Sequence, residues 1–102
     1  MELEEILSEG IKLDASDIIL KDGGAPMFRV RGELMPMPGA EPLTPQEVQQ
    51  AANRFLQDDS HRMRFATERH ADLAFEEEGL GRFRINVYRQ RGKVGVVLRL
   101  IP

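Results

Sequence analysis

Apolar and polar positions alternate through most of this chain and change to helical spacing in three places. Leu3, Ile6 and Leu7 recur at helical spacing and predict a short helix from about Glu2 to Glu9, with Gly10 as its stop. Asp17 to Lys21 reads as a strand centred on Ile18, Ile19 and Leu20, and Gly23-Gly24 marks a turn. From Met27 to Arg31, Phe28 and Val30 point one way and Arg29 and Arg31 the other. Gly32-Glu33 reads as a tight turn into a third strand, Leu34 to Met37. The prolines and Gly39 between Pro36 and Pro42 then predict a loop.

Thr44-Pro45-Gln46-Glu47 carries the sharpest local signal. Thr is a helix-capping residue, Pro suits the first helical position, and Glu three residues after the cap completes a capping box. Val48, Ala51, Ala52, Phe55 and Leu56 follow on one face, so the spacing predicts an amphipathic helix over about Pro45 to Gln57. Asp58-Asp59-Ser60 can cap another short helix, with Met63 and Ala66 expected on its buried side. Three strands close the chain. Ala71 to Glu77 has Leu73 and Phe75 inward. Arg82 to Arg89 has Phe83, Ile85 and Val87 inward, and Arg82, Arg84, Asn86 and Tyr88 outward. Gln90-Arg91-Gly92-Lys93 is a hairpin turn. Val94 to Ile101 is apolar on both faces, which marks an interior strand. The order is α-βββ-αα-βββ with short links between strands, an α+β fold with a mainly antiparallel sheet of about six strands and two or three helices.

Composition narrows the function classes. At 102 residues, 41% apolar and 30% charged, the chain is expected to be one folded domain with little room for a deep cleft. It has no Cys, and no stretch reaches the roughly 20 apolar residues that a membrane helix needs. Its start, Met1-Glu2-Leu3-Glu4-Glu5, lacks the basic opening of a signal peptide, so a cytoplasmic location is expected. The net charge of −3 hides a division. Residues 79–102 hold six basic side chains and no acid, +6, while residues 1–78 hold the other 8 basic and all 17 acidic ones, −9. An acid-free C-terminal hairpin, Leu80 to Ile101, points to a polar partner surface or to pairing with the domain's own acids.

The chemistry-bearing residues do not assemble into a catalytic motif. His61 and His70 sit in polar sequence outside any His-Glu-x-x-His pattern, and Ser8, Ser16 and Ser60 lie in no nucleophile elbow. Glu76-Glu77-Glu78 alternates faces on a strand and converges poorly on one metal ion. Gly92-Lys93 is followed by Val94, and the earlier glycine of a phosphate loop is replaced by Val87. No catalytic residue, metal or cofactor is therefore expected for this chain alone. What remains is the hairpin, where Arg84, Arg91 and Arg99 offer planar forks suited to phosphate. The alternative is a stand-alone module that binds RNA or an anionic signalling nucleotide through residues 80–101. Against it, Phe83 shares the core face with Ile85 and Val87, which leaves Tyr88 as the one outward aromatic of its strand.

Several phrases occur in a specific order: Ala15-Ser16-Asp17-Ile18; Gly24-Ala25-Pro26-Met27-Phe28-Arg29-Val30-x-Gly32-x-Leu34; Leu43-Thr44-Pro45; and Gly81-Arg82-Phe83-Arg84-Ile85-Asn86-Val87-x-Arg89-Gln90-Arg91-Gly92 through Leu98-Arg99-x-Ile101-Pro102. Together they resemble the N-terminal domain of PilT-type type IV pilus retraction ATPases, in the wider family of type II and type IV secretion ATPases. One departure stands out: Ile19 occupies the position where the family usually has His. The resemblance implies a single PAS-like N-terminal domain over residues 1–102, followed in a parent protein by a RecA-like ATPase domain that this chain lacks. It further implies a homo-hexameric twitching-motility motor in the parent, with ATP and Mg as its cofactors. Implied partners are the RecA-like domain of the same or a neighbouring subunit and the pilus platform protein of the inner membrane, where the motor sits peripherally; no nucleic acid is expected. By motif position, Arg84, Arg91 and Arg99 are implied at the interdomain nucleotide cleft, touching phosphate or forming salt bridges.

Overall fold

The computed structural model describes residues 2–102. Helix α1 spans Leu3–Lys12, followed by strands β1 (Asp17–Lys21), β2 (Met27–Val30) and β3 (Glu33–Pro36). Helices α2 (Pro45–Phe55) and α3 (Asp59–Glu68) come next, then strands β4 (His70–Glu77), β5 (Gly81–Gln90) and β6 (Lys93–Ile101). The six strands form one sheet in the order β3-β2-β1-β6-β5-β4, and every neighbouring pair is antiparallel. Two three-stranded meanders thus meet at the β1–β6 seam. The α+β class and the interior place of the last strand are as the alternation predicts, and the arrangement is compatible with a PAS-like fold.

The helices pack on one face of the sheet. Ile6, Leu7, Val48, Ala51, Ala52 and Phe55 meet Ile18, Leu20, Phe28, Phe83, Ile85, Val87, Val96 and Leu98, all buried. The capping box of α2 forms in full: the Glu47 N–H donates to Thr44 Oγ1 at 3.1 Å and the Thr44 N–H to Glu47 Oε1 at 2.9 Å. Arg54 clamps the helical layer to the sheet by pairing with Glu4 of α1 at 2.6 Å and Glu77 of β4 at 2.5 Å.

Three expectations need correcting. Gly10 does not stop α1, which runs on to Lys12; it lies inside the helix, at a point where an added Cβ would come within 2.7 Å of Ile18 Cδ1. Gly10 is a close-approach glycine rather than a cap. On α3, Met63 is 68% exposed and Ala66 is also exposed, while Phe65 is buried. This helix has only a weak apolar stripe, so its polar sequence misassigns its inner face. The β2–β3 turn is Arg31-Gly32, one residue earlier than predicted, with positive φ at both positions (51° and 82°) as a two-residue hairpin loop of this hand requires.

Candidate functional site: the uncovered face of the sheet

The helices leave the opposite face of the sheet open. Strand alternation sends Asp17, Ile19, Arg29, Arg84, Asn86, Tyr88, Val97 and Arg99 to that side, and register places several of them in one row. Arg29 on β2 lies opposite Asp17 on β1, Asp17 opposite Arg99 on β6, and Arg99 opposite Arg84 on β5.

Asp17 is the buried charge of this row, 8% exposed. Its carboxylate accepts from Ser16 Oγ at 2.9 Å and from Arg99 Nε at 3.2 Å, and it pairs with Arg29 Nε at 3.6 Å. A carboxylate removed from water needs such partners. Because Arg99 engages through Nε, both of its terminal amino groups remain unbonded among the described residues. Arg84 is exposed and has no hydrogen-bond or ion-pair partner among them. Like charges directly opposite on adjacent strands repel. Asp17 offsets that repulsion from one side, and an oxyanion spanning the two forks would offset it from the other. Asp72 lies at the edge of the same shallow hollow and accepts from Asn86 Nδ2 at 2.8 Å.

The structure therefore brings Arg84 and Arg99 together but not Arg91. Arg91 occupies the β5–β6 turn at the far end of the hairpin, about 20 Å from Arg84 by strand rise. With φ of 54° it takes the left-handed conformation that only a few per cent of non-glycine residues adopt, and Gly92 follows at 78°. It borders a separate hollow of about 380 Å3 with Lys21, Tyr88 and Lys93, where Lys93 pairs with Asp22 at 3.4 Å. A single phosphate cannot touch all three arginines. The Asp17–Arg99 link escapes sequence reasoning because it joins residues 82 positions apart across the β1–β6 seam.

Tyr88 faces outward as expected, with one side of its ring covered. Its ring lies over Gly95 so closely that an added Cβ there would meet Tyr88 Cζ at 2.2 Å. Ile19, half-buried in the next row, lies opposite Met27 and Val97, so the position where the resemblance expects a His is apolar and sits on the open face. Among the described residues no three acids or histidines converge as metal ligands would, and no helix is long and apolar enough to cross a membrane.

Comparison with known proteins locates this fold. No family model matches the chain. The type IV pilus ATPase PilU of Pseudomonas aeruginosa is 32% identical over 101 residues, covering 99% of this chain and 26% of PilU. The type IV pilus retraction ATPase PilT of the same organism is 34% identical over 102 residues, covering all of this chain and 29% of PilT. A crystal structure of the pilus retraction motor PilT with bound ADP superimposes with a TM-score of 0.90 at 36% identity, over 100% of this chain and 29% of that one. The chain is an N-terminal domain of the PilT-like family. It spans less than a third of the curated relatives it matches. The Legionella pneumophila ATPase DotB shares the fold of this PilT-like domain, with a TM-score of 0.78 at 22% identity over 98% of the chain and 28% of DotB.

Proposed function

We propose that this PilT-like domain is the coupling and regulatory domain of a hexameric pilus retraction ATPase. It hydrolyses nothing alone and presents arginines to the nucleotide held by a RecA-like domain of the same or a neighbouring subunit. The observation that carries the reading is the superposition of the whole chain on part of an ADP-bound retraction motor. The open-face geometry supports it, since Arg84 and Arg99 stand side by side with unspent donors. Arg91, at the hairpin tip, serves a second contact, to another phosphate or to an acidic side chain of the partner domain. The rest of the exposed surface serves subunit packing, and the motor works on the cytoplasmic side of the inner membrane against a platform protein.

The test is ATP turnover by the parent protein carrying Arg99→Gln or Arg91→Asn. Asn accepts the left-handed backbone at 91, so this change removes the guanidinium without straining the turn. Each variant should lower turnover about tenfold or more, the size of a lost charge-assisted contact, with the thermal midpoint of this domain unchanged. Wild-type turnover in both variants overturns the arginine assignment. Full activity after deletion of residues 1–102 overturns the coupling role.

A further inference from the structure

The helical side of the sheet carries a second basic surface, remote from the open-face row. A groove of about 370 Å3 lies between α2, α3 and the end of β5. Arg62, Arg69 and Arg89 line it over apolar surface that includes Leu56 and Phe65. No acidic side chain lines it, in a chain whose net charge is −3.

The three cations are held differently. Arg62 Nη1 donates to the carbonyls of Leu56 and Gln57, each at 2.8 Å, and Nη2 pairs with Asp59. It therefore contributes charge to the groove but no free fork. The Arg89 guanidinium sits over the Phe65 ring, 5.4 Å from its centroid, and reaches the Gly92 carbonyl at 3.5 Å. Arg69 caps the C-terminus of α3 in the left-handed conformation, and its carbonyl accepts the Arg89 N–H at 2.9 Å. Its guanidinium has no partner among the described residues. Two neighbouring arginines thus face a groove without an acid to neutralise them.

We propose that this groove docks a short acidic peptide segment that also carries apolar side chains, supplied by a partner protein. Charge complementarity argues for the acid, and the Leu56–Phe65 floor for the apolar side chains. A compact phosphate needs several donors converging on one point. Arg69 alone has a wholly free fork, whereas an extended segment draws on spread positive charge and apolar contact together. On the α2 wall, Gln49 Nε2 donates to Asn53 Oδ1 at 2.9 Å, which leaves the Gln49 carbonyl and the Asn53 amino group for the main chain of the peptide. The groove is independent of the open-face arginines, so this docking stands or falls separately from nucleotide contact.

The probe is a fluorescein-labelled octapeptide of alternating glutamate and leucine, titrated by anisotropy against the 102-residue chain at low and moderate salt. Binding should weaken as salt rises. Arg69→Asn, which keeps the left-handed cap, should weaken it about fivefold, and Arg69→Asn with Arg89→Gln about tenfold or more. Arg31→Asn makes the same charge change in the same backbone conformation at the β2–β3 turn and should leave binding unchanged. In the unmutated chain the peptide should shift the NMR signals of the Phe65 ring and the Asn53 side-chain amide, a readout that needs no variant to fold. The proposal is overturned by absent binding at low salt, by an equal loss in Arg31→Asn, by signal shifts elsewhere than the groove, or by pyrophosphate displacing the labelled peptide at lower concentration than unlabelled peptide does.

Discussion

Single residues decide how closely the two faces of this sheet are built. Gly95 has no side chain because the Tyr88 ring occupies that space at 2.2 Å from any added Cβ. Gly10 is tight for a softer reason, since its obstacle at 2.7 Å is the end of the Ile18 side chain. Gly95→Ala should therefore cost about 1–3 kcal/mol in chemical denaturation, in the range of overpacking. In a Tyr88→Ala background the same change should be close to neutral, because the obstacle is gone. An equal cost in both backgrounds would show that the ring is not the cause. Neither glycine announces this role in sequence: Gly10 reads as a helix stop, and Gly95 lies unmarked in the strand Val94 to Ile101. Asp17 is similar. Its alternation with Ile18 puts it on the outer face, but only the two flanking strands supply Arg29 and Arg99 and explain its burial.

Elements show where local chemistry is sufficient. The Thr44–Glu47 box was legible in four residues because capping depends on neighbours in sequence. Thr44→Ala should cost about 1 kcal/mol, measured as a shift of the denaturation midpoint at unchanged slope. Acid should act on the same joints. The Thr44 N–H holds the Glu47 carboxyl below its ordinary range, the Ser60 N–H does so for Asp58, and Arg54 does so for Glu4. Groups depressed in the folded state stabilise it above their unfolded pKa and lose that contribution as pH falls through the folded value. Thermal stability should thus be insensitive to these groups from pH 5 to 7 and decline below about pH 4. Glu47→Gln should flatten part of that decline, and an unaltered acid limb in the variant would remove the cap from the account. Helix α3 shows the opposite case. With a weak stripe, its inward residue is chosen by what it meets, and Phe65 meets Arg89 from a strand that follows it in the chain.

At the scale of the molecule, the last strand to be made lies at the centre. β6 pairs with β1 on one side and β5 on the other, so it joins the two meanders into one sheet. Removing residues 93–102 should abolish cooperative folding rather than trim an edge, seen as collapse of dispersed amide signals in NMR. A cooperative transition in the shortened chain would contradict the central role of this strand. The same topology divides the basic C-terminal segment. Its charges, contiguous in sequence, are sent to the open face at Arg84 and Arg99, to the hairpin tip at Arg91, and to the helical groove at Arg89.

Sequence by itself determined the α+β class, the order of the elements, the capping box and the inward faces of β2, β4 and β5. Those features depend on period-2 and period-3.6 patterning and on contacts within a few residues. Tertiary structure alone decided which cations share a surface, because that depends on strand order and register across distant segments. The arginines that read as one basic hairpin are three separate surfaces, and the carboxylate that holds Arg99 comes from the other end of the chain.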